Sequence, residues 1–528
     1  MTDQAERYRE IAEACDQVLG SAEATVDWIA IPWLHFLSQH PMLTREYQSI
    51  PLLEKEGSPS WRRGRGGQSW RPFASLTKGV TRHQIALLID LAKSVTSGKP
   101  AELTAGDLAP VDVVIVSWLI NVTHLEMKDD FYFGDLQARL ASRGLSSLLV
   151  LRNQSGHSTT SLFERAKRSG PCARVMLPDL TSLKEQFSFL LRSWRACRTL
   201  GRAVQEPKPS LRTRAAHEAC YHAVSHPTLS NLNLHAQMLE LCRRTHPAMV
   251  LTLYEGHAWE RCVWHAAKSV VPETLCVGYQ HTILLKHAHA AKRSLNRNCD
   301  PDLVLTLGRV TRRMLESSDR LTNTRFVTFG THRYSSGPQQ RGVRVNSSVL
   351  VLPEGNASEC FQLFRFALEC ARRLPDVRFL FRTHPIFPFE RIRRKLLDAE
   401  KSFPPTVEIS RSKRVEEDFA RAGYLLYRGS STVIYGVLAG LKPFYLSTAG
   451  EIDIDPLYEL KCWRERVDSV DAFLHRYRTH EKGSAGSATA EWSSARDYCA
   501  AYVQPVSESA IDEMLEHSKL KRQQRAHA

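Results

Sequence analysis

The sequence predicts an α/β protein built from two doubly wound domains. From about residue 110, short apolar runs alternate with longer amphipathic segments. The alternation stops at a polar stretch containing Gly and Pro, Arg333–Gly342, and restarts with the apolar run Ser348–Leu352. Alternation of this kind is typical of parallel sheets covered by helices on both faces. We therefore expect a ligand in the cleft between the domains, where strand carboxyl ends and helix N-termini point.

The composition excludes several classes of protein. The chain has 528 residues, of which 43% are hydrophobic and 24% charged, so it is long enough for two or three domains and is not wholly disordered. No stretch approaches the roughly 18 uncharged apolar residues of a membrane span, and the best one, 111–122, contains Asp112 and predicts a buried strand. The polar N-terminus lacks an apolar signal core, and twelve scattered cysteines are expected to be reduced thiols. We therefore expect a cytoplasmic enzyme.

The first domain is expected at 106–332, after an N-terminal extension of mixed structure at 1–105. Helices are predicted near 135–142 and at 181–200, 210–245 and 257–269. The predicted strands are Val113–Trp118, Leu148–Leu151, Met249–Leu253, Leu275–Tyr279, Leu303–Leu307 and Phe326–Phe329.

The second domain is expected at 347–505, after a linker at 333–346 and before a basic C-terminal tail at 506–528. The predicted strands are Ser348–Leu352, Arg378–Phe381, Val407–Ile409, Tyr424–Tyr427 and Pro443–Leu446. Helices are predicted near 358–373, 415–421, 432–439, 469–478 and 489–502.

One candidate site motif follows the second strand of the second domain. The strand ends in Arg382-Thr383-His384-Pro385, which places a cation and an imidazole at the carboxyl edge of the sheet. Pro385 fixes the backbone there and stops the strand. His384 can donate to a phosphate oxygen and transfer a proton near neutral pH. The alternative interpretation is a structural histidine held by backbone hydrogen bonds.

A second motif in the same domain combines a glycine turn with hydroxyls. Arg428-Gly429-Ser430-Ser431-Thr432 joins a strand to a helix, and Gly429 allows a close approach of the backbone. Hydroxyls together with the free N–H groups of a helix N-terminus can bind an anion. A plain Ser/Thr helix cap is the alternative. Two such motifs at the strand ends of one domain predict a phosphate site.

The first domain offers an acidic residue at the same kind of position. Glu255 ends an apolar strand before Gly256 and His257, and could accept a proton or act as a nucleophile. The alternative is a carboxylate that caps a helix. Gln280 and His281 end the next strand, while the nearby His287-Ala288-His289 lacks a third ligand, so no metal site is predicted.

Taken together, Arg382–Pro385, Ser430-Ser431 and Gly440–Pro443 resemble the C-terminal domain of GT-B glycosyltransferases that use CMP-activated 2-keto-3-deoxy sugars. Bacterial sialyltransferases, polysialyltransferases and Kdo transferases belong to this group. The resemblance implies two Rossmann-like domains that face a central cleft. It also implies transfer of sialic acid, Kdo or a related nonulosonate to a bacterial surface glycan without a metal or another cofactor. Candidate donor-binding residues are Glu354, Gly355, Arg382, His384, Pro385, Glu408, Arg428, Gly429, Ser430, Ser431 and Thr432.

Further segments resemble bacterial surface-carbohydrate biosynthesis proteins, namely 131–136, 254–261, 278–281 and 352–355. The resemblance implies Glu255 as the acidic catalyst and His384 as the group that assists the departing phosphate. Candidates on the acceptor side are Gly134, Asp135, Gly256, His257, Gln280 and His281. Tyr254 stands where the sialyltransferase motif has the first of two acids, and Asp135 is a candidate for the aspartate nucleophile of a retaining transferase. Whether transfer inverts or retains configuration stays open.

The formal net charge of +15 indicates anionic partners. Basic residues concentrate at 61–71 and 519–525, and no nucleic-acid-binding motif accompanies them. We expect contact with the anionic inner face of a bacterial inner membrane, together with a nucleotide-sugar donor and a glycan or glycolipid acceptor. Three rival functions remain: CDP-polyol-dependent polyol-phosphate transfer of the teichoic-acid type, sugar-nucleotide epimerisation, and a non-catalytic basic scaffold.

Overall fold

The computed structural model describes residues 4–35 and 108–526 with short gaps. The gaps are 23, 171, 180, 203–209, 297, 319, 334–345, 356, 385–386, 401, 450 and 483–484. The described chain forms two parallel sheets, each covered by helices on both faces. The predicted α/β fold class, with two doubly wound, Rossmann-like units, is confirmed. The basic segment 61–71, most of the linker and Pro385 lie outside the described residues.

The first sheet has seven parallel strands in the order β3-β2-β1-β4-β5-β6-β7. The strands are β1 Val113–Leu119, β2 Ser147–Asn153, β3 Cys172–Met176, β4 Met249–Leu253, β5 Leu275–Gln280, β6 Leu303–Thr306 and β7 Arg325–Thr328. All the predicted strands are present, whereas β3 was not predicted. Arg174 interrupts its apolar pattern, yet this side chain is buried and donates hydrogen bonds to the carbonyls of Ala166 and Leu125.

The helices around this sheet are α1 Gln4–Leu19, α2 Val26–Ile29, α3 Leu136–Ala141, α4 Thr159–Ala166, α5 Leu183–Arg202, α6 Leu211–Ala223, α7 His226–Thr245, α8 Ala258–Val270 and α9 Arg309–Glu316. The single helix predicted over 210–245 is divided in two. Ser225 accepts a hydrogen bond from the Thr228 N–H and so begins a new helix, with Pro227 in its first turn. Residues 4–34 pack their apolar side chains against α5 and α6. Part of the expected N-terminal extension therefore belongs to the core around the first sheet.

The second sheet has six parallel strands in the order β10-β9-β8-β11-β12-β13. The strands are β8 Val349–Leu352, β9 Phe379–Phe381, β10 Val407–Ile409, β11 Tyr424–Tyr427, β12 Lys442–Leu446 and β13 Glu465–Val467. The helices are α10 Ala357–Arg373, α11 Glu390–Glu400, α12 Val415–Phe419, α13 Thr432–Leu438, α14 Val470–Glu481, α15 Ala485–Tyr502 and α16 Glu508–Ala526. The predicted strands of this domain are confirmed, and the charged strand β13 and helix α11 were not predicted.

The end of the chain returns to the first sheet. Residues 501–505 cross the carboxyl ends of β6 and β7, where the Gln504 N–H donates to the Leu307 carbonyl and the Thr331 N–H donates to the Gln504 carbonyl. Most of the segment predicted as a basic tail, 506–528, is helical, because 508–526 form α16. Ala510, Ile511 and Met514 of α16 are buried, and the Lys521 amine lies 2.7 Å from an Asp302 carboxylate oxygen. Within the described residues, no helix is both long and apolar enough to cross a membrane.

Candidate active site

A tight loop carries Glu255 from the carboxyl end of β4 to the start of α8. Gly256 in this loop has a φ of +92°, and a Cβ there would lie 2.3 Å from the Ala290 carbonyl carbon. The Tyr254 hydroxyl donates to the Ala291 carbonyl at 2.9 Å, which fixes the loop from its other side. Only glycine fits this backbone conformation and this contact. Close packing on 290–291 therefore determines where the Glu255 side chain points.

Two histidines flank the Glu255 carboxylate. The His257 Nε2 lies 2.9 Å from Glu255 Oε2, and the His281 Nε2 lies 3.5 Å from Oε1. Because an ionised carboxylate only accepts hydrogen bonds, His257 is the donor in the shorter contact. The Glu255 side chain is 8% exposed and that of His257 is 23% exposed. The carboxylate is thus held in place yet still reachable.

The pKa values of the two histidines are shifted in opposite directions. Burial opposes the charged form of His257, but the hydrogen bond from its ring to Glu255 and the charges of Glu260 and Glu255 raise the pKa of His257. Burial lowers the pKa of His281 to about 4, so this ring is neutral near pH 7. The raised pKa favours the protonated form of His257, and His281 supplies a neutral ring.

Glu260, one turn into α8, fixes the loop from below. Its carboxylate accepts hydrogen bonds from the backbone N–H groups of Glu255, Gly256 and His257 at 2.9–3.0 Å. The side chain is fully buried, and burial raises the pKa of Glu260 to about 8. This is the reciprocal half of a capping box, in which an acid at the third helical position accepts from the N–H at the N-cap. Glu260 is a positioning residue that the sequence analysis did not identify.

Aromatic side chains form the wall beside Glu255. The Trp118 ring, at the end of β1, lies 5.9 Å from the His257 ring and 5.4 Å from the Trp259 ring. The Tyr132 ring contacts the His281 ring edge-on at 4.9 Å. The Arg333 guanidinium lies 5.0 Å from the Tyr132 ring centre, which brings a cation to the mouth of the site. The sequence analysis did not select Trp118 or Arg333.

Arg152 adds a second cation at the carboxyl end of β2. It is the strand partner of Trp118, and its guanidinium donates to the Ser230 hydroxyl at 3.2 Å and lies 5.9 Å from the Trp259 ring. No carboxylate pairs with it among the described residues. Burial lowers the pKa of Arg152 to about 10, but it stays charged near pH 7. The site around Glu255 is therefore rich in hydrogen-bond donors.

Three acceptor-side candidates have structural roles instead. Gly134 has a φ of +58°, and a Cβ there would lie 2.6 Å from the His332 ring. Asp135 is engaged by Arg139 at 2.7 Å, and this contact lowers the pKa of Asp135. Gln280 is fully buried, and its amide donates to the Thr282 carbonyl. The structure therefore gives no support to Asp135 as a nucleophile.

On the second sheet, the Gly429 turn is packed against a carboxylate. A Cβ on Gly429 would lie 2.1 Å from Glu354 Oε1, so Gly429 is required for the close approach of that side chain. Glu354 itself is buried, and Gly355 follows it. Ser431 occupies the N-cap position of α13, but its side chain makes no cap hydrogen bond. The Ser431 hydroxyl is exposed and Ser430 is buried, so the hydroxyl-cap alternative does not describe Ser431.

The two predicted phosphate-binding arginines are engaged inside their own domain. Arg382 lies 2.5 Å from Asp418 and donates to the Ser412 carbonyl at 3.1 Å. Arg428 is fully buried between Glu359, at 3.1 Å, and Glu451, at 2.5 Å. A guanidinium neutralised in this way supports the loops around it and has little charge left for a phosphate. Contact of either arginine with a phosphate stays a prediction.

The remaining donor-side candidates divide between the two edges of the second sheet. His384 is exposed at the carboxyl edge, directly after β9, and Thr432 opens α13 there. Glu408 pairs with Arg421 at 2.5 Å and lines a surface pocket with Asn346, Arg378 and Pro405, which precede strands. Glu408 therefore faces the amino edge, which argues against its predicted contact with a ribose. Glu408 lies in β10, and its side chain turns toward Arg421, which precedes β11.

Helix α15 contacts the first domain just after the end of β5. Burial and the neighbouring hydroxyl of Tyr435, on α13, raise the pKa of Tyr279, at the end of β5, to about 12. The Tyr502 hydroxyl also accepts a hydrogen bond from the Leu284 N–H, which follows β5. The Trp492 indole of α15 also donates to the Val437 carbonyl of α13, so α15 links α13 with the segment that follows β5.

Neither a protein-family model nor a curated protein sequence matches this chain. Several solved structures are similar to it in fold. The glycosyltransferase SnogD from Streptomyces nogalater is 10% identical over 77% of this chain and 99% of its own, with a TM-score of 0.41. An α,α-trehalose-phosphate synthase (UDP-forming) from Burkholderia vietnamiensis is 10% identical over 78% and 98%, with a TM-score of 0.44. UDP-GlcNAc 2-epimerase from Neisseria meningitidis, bound to UDP-GlcNAc, is 10% identical over 78% and 100%, with a TM-score of 0.40. These values are too low to bear on activity, and the two-domain α/β architecture rests on the sheets of this chain.

Proposed function

We propose that this chain is a metal-independent glycosyltransferase that moves a 2-keto-3-deoxy sugar from a CMP-activated donor to a bacterial surface glycan. The observation that carries the proposal is the Glu255 carboxylate, 8% exposed and flanked by His257 and His281 at the carboxyl edge of the first sheet. The serine turn of the second sheet begins α13, and α15 links that helix to the segment that follows β5. An acid on one sheet and hydroxyls on the other suit transfer between two bound substrates.

In the proposed step, an acceptor hydroxyl attacks the anomeric carbon of the sugar. The new C–O bond forms as the bond from that carbon to the CMP phosphate oxygen breaks, and the electron pair leaves with CMP. The hydroxyl proton passes to Glu255. The hydrogen bond from His257 to Oε2 keeps the carboxylate oriented while Oε1 accepts the proton. A positioned general base of this kind typically contributes about 10²–10⁴-fold to the rate.

On the donor side, we assign the departing phosphate to His384 and to the hydroxyls of Ser430 and Ser431. The exposure of His384 and the uncapped hydroxyl of Ser431 support this assignment. Arg382 and Arg428 then support the two motifs from behind through Asp418 and Glu359. Glu354 holds the Gly429 turn in its close-packed form.

Nucleotide selectivity tests the donor class. The thermal stability of the full chain is measured with CMP, CDP, UDP and ADP at millimolar concentration, beside the His384→Ala variant. A ligand at about 100 times its Kd adds about 2.7 kcal/mol of stability. We expect a CMP-selective rise in Tm that is smaller in His384→Ala. A CDP-selective rise would favour polyol-phosphate transfer, and a UDP-selective rise would favour a UDP-sugar enzyme. No rise with any nucleotide would overturn the proposal.

A further inference from the structure

Helix α5 exposes an apolar stripe. Phe187 is 64% exposed, Leu191 is 45% exposed and Trp194 is 41% exposed. They are three of the five large apolar side chains found exposed among the described residues; the others are Met127 and Leu520. Their spacing of four and three residues places them on one face of the helix. We call this group the α5 stripe.

The α5 stripe is not the face by which the helix packs on the protein. Phe189, Ala196 and Leu200 of the same helix are buried in the cluster that includes α1 and α6. Because these anchors fix the rotation of the helix, the stripe is a second apolar face directed outward. A contiguous exposed face of this kind on an otherwise packed helix indicates an interaction surface.

Exposed cations surround the stripe. Lys184, Arg195, Arg198 and Arg202 are exposed, and none of them has an ion pair within the described part of the chain. Lys184 lies one turn before Phe187, and Arg198 lies one turn after Trp194, so the charges continue the line of the stripe. Glu185, the one acid in the helix, accepts hydrogen bonds from Ser182 at the helix start.

We propose that α5 docks on an anionic lipid surface. Trp and Phe are the side chains that favour the boundary between headgroups and acyl chains, and flanking arginines match phosphate headgroups. Charge complementarity favours lipid over a second copy of this basic chain, which would place like charges against each other. Helix α5 shares no residue with the basic segments 61–71 and 519–525 found in the sequence.

The position of α5 gives the docking a consequence for the reaction, and this step rests on the proposed function. The helix begins just after the carboxyl end of β3, at the same edge of the sheet as Glu255. Docking through α5 would hold this edge near the lipid surface, where a lipid-linked acceptor is anchored. Acceptor transfer would then be faster on vesicles than in solution.

Vesicle binding tests the docking surface without any nucleotide. The full chain is sedimented with phosphatidylcholine vesicles and with vesicles in which one third of the lipid is phosphatidylglycerol. The apolar variant is Phe187→Ser/Leu191→Ser/Trp194→Ser, and its matched control, Met127→Ser/Leu520→Ser, changes exposed apolar residues elsewhere. The charge variant is Arg195→Gln/Arg198→Gln, and its control, Arg243→Gln/Arg312→Gln, removes the same net charge from other helices.

We expect binding only to the vesicles that contain phosphatidylglycerol, and weaker binding at high salt. Each cation near the surface contributes roughly fivefold in affinity, so the charge variant loses about 25-fold. The apolar variant loses at least about tenfold, and both controls stay near the unchanged protein. All variants should keep their Tm, because the substituted side chains are exposed.

Three outcomes would overturn the proposal. They are no binding to phosphatidylglycerol vesicles, equal binding by the apolar variant, and a doubled molecular mass in light scattering that the apolar variant abolishes. The last outcome would assign the stripe to a second copy of the chain. Since the assay contains no nucleotide, a failure here leaves the CMP-dependent shift in Tm intact, and a missing CMP shift leaves vesicle binding intact.

Discussion

In the proposed mechanism Glu255 accepts the proton of the acceptor hydroxyl, so its charge is the feature to remove. We expect Glu255→Gln to lower kcat for transfer from CMP-sialic acid by at least about 10²-fold, since the amide cannot take a proton. The Kd for CMP should stay unchanged, because the nucleotide is assigned to the other sheet. Release of CMP and calorimetric binding measure the two quantities. Glu164→Gln, at an exposed surface position, is the control. Full activity in Glu255→Gln would remove the residue from the mechanism.

His257 gives stability a pH dependence that can be isolated. Its pKa is raised, chiefly by Glu255 and against the effect of burial. A raised pKa means that the contribution to stability is complete below the usual value of about 6.5 and is lost as pH rises through the folded-state pKa. The loss of Tm in His257→Gln should therefore be larger at pH 6 than at pH 9. The lowered pKa of His281 gives its contribution to stability the opposite dependence on pH. The quantity to plot against pH is therefore the difference in Tm between the variant and the parent protein.

The positions of the strand ends allowed the polar site residues to be predicted from the sequence. They did not show which oppositely charged side chains would pair with those residues. Glu255, His257 and His281 were selected from their positions after β4 and β5, and the structure brings them together. Arg382 and Arg428 were selected by the same reasoning, yet each forms an ion pair with an acid distant in sequence. Arg382 pairs with Asp418, and Arg428 pairs with Glu359. Partners so far along the chain leave no local pattern. Trp118 and Arg333 were missed for the same reason, because their contacts form only in the folded sheet.

At the scale of elements, the crossing of 501–505 over β6 depends on Gly308. A Cβ on Gly308 would lie 2.5 Å from the carbonyl oxygens of Ala501 and Tyr502, although its backbone is extended and open to any residue. We expect Gly308→Ala to lower the free energy of unfolding by about 1–3 kcal/mol through this clash. Denaturant unfolding measures it. Gly201→Ala, whose nearest contact is an ordinary 3.9 Å, should be neutral or stabilising.

The elements that the sequence analysis missed share a physical cause. Strand β3 buries Arg174 and strand β13 is three residues long with two charges, so neither shows an apolar run. Helix α16 carries many charged residues and buries only part of one face. The long apolar strands, such as β1 and β4, were predicted because burial on both faces of a parallel sheet demands continuous apolar sequence. Elements at the margins of the sheets do not need continuous apolar sequence.

At the scale of the whole molecule, the chain places its last helix on its first sheet. Ala510, Ile511 and Met514 of α16 are buried in the core cluster that contains the strands of the first sheet. Glu508 and Asp512 of α16 pair with arginines of the first domain, and Lys521 pairs with Asp302. The first sheet cannot reach its full stability until the second domain and the segment after it have been made. This arrangement couples the two units into one structure.

The last prediction follows from this coupling. A chain that ends at residue 507 loses α16, including about three buried apolar side chains worth roughly 4–6 kcal/mol in total. We expect the loss of buried apolar area to lower the stability of the first domain. Calorimetry should then show two unfolding transitions instead of one, and the earlier transition should belong to the first sheet. CMP should raise only the later transition, since the donor site is assigned to the second sheet. Lys519→Gln, an exposed change within α16, is the control and should unfold like the parent chain. A truncated chain with one unshifted transition would show that α16 contributes no coupling.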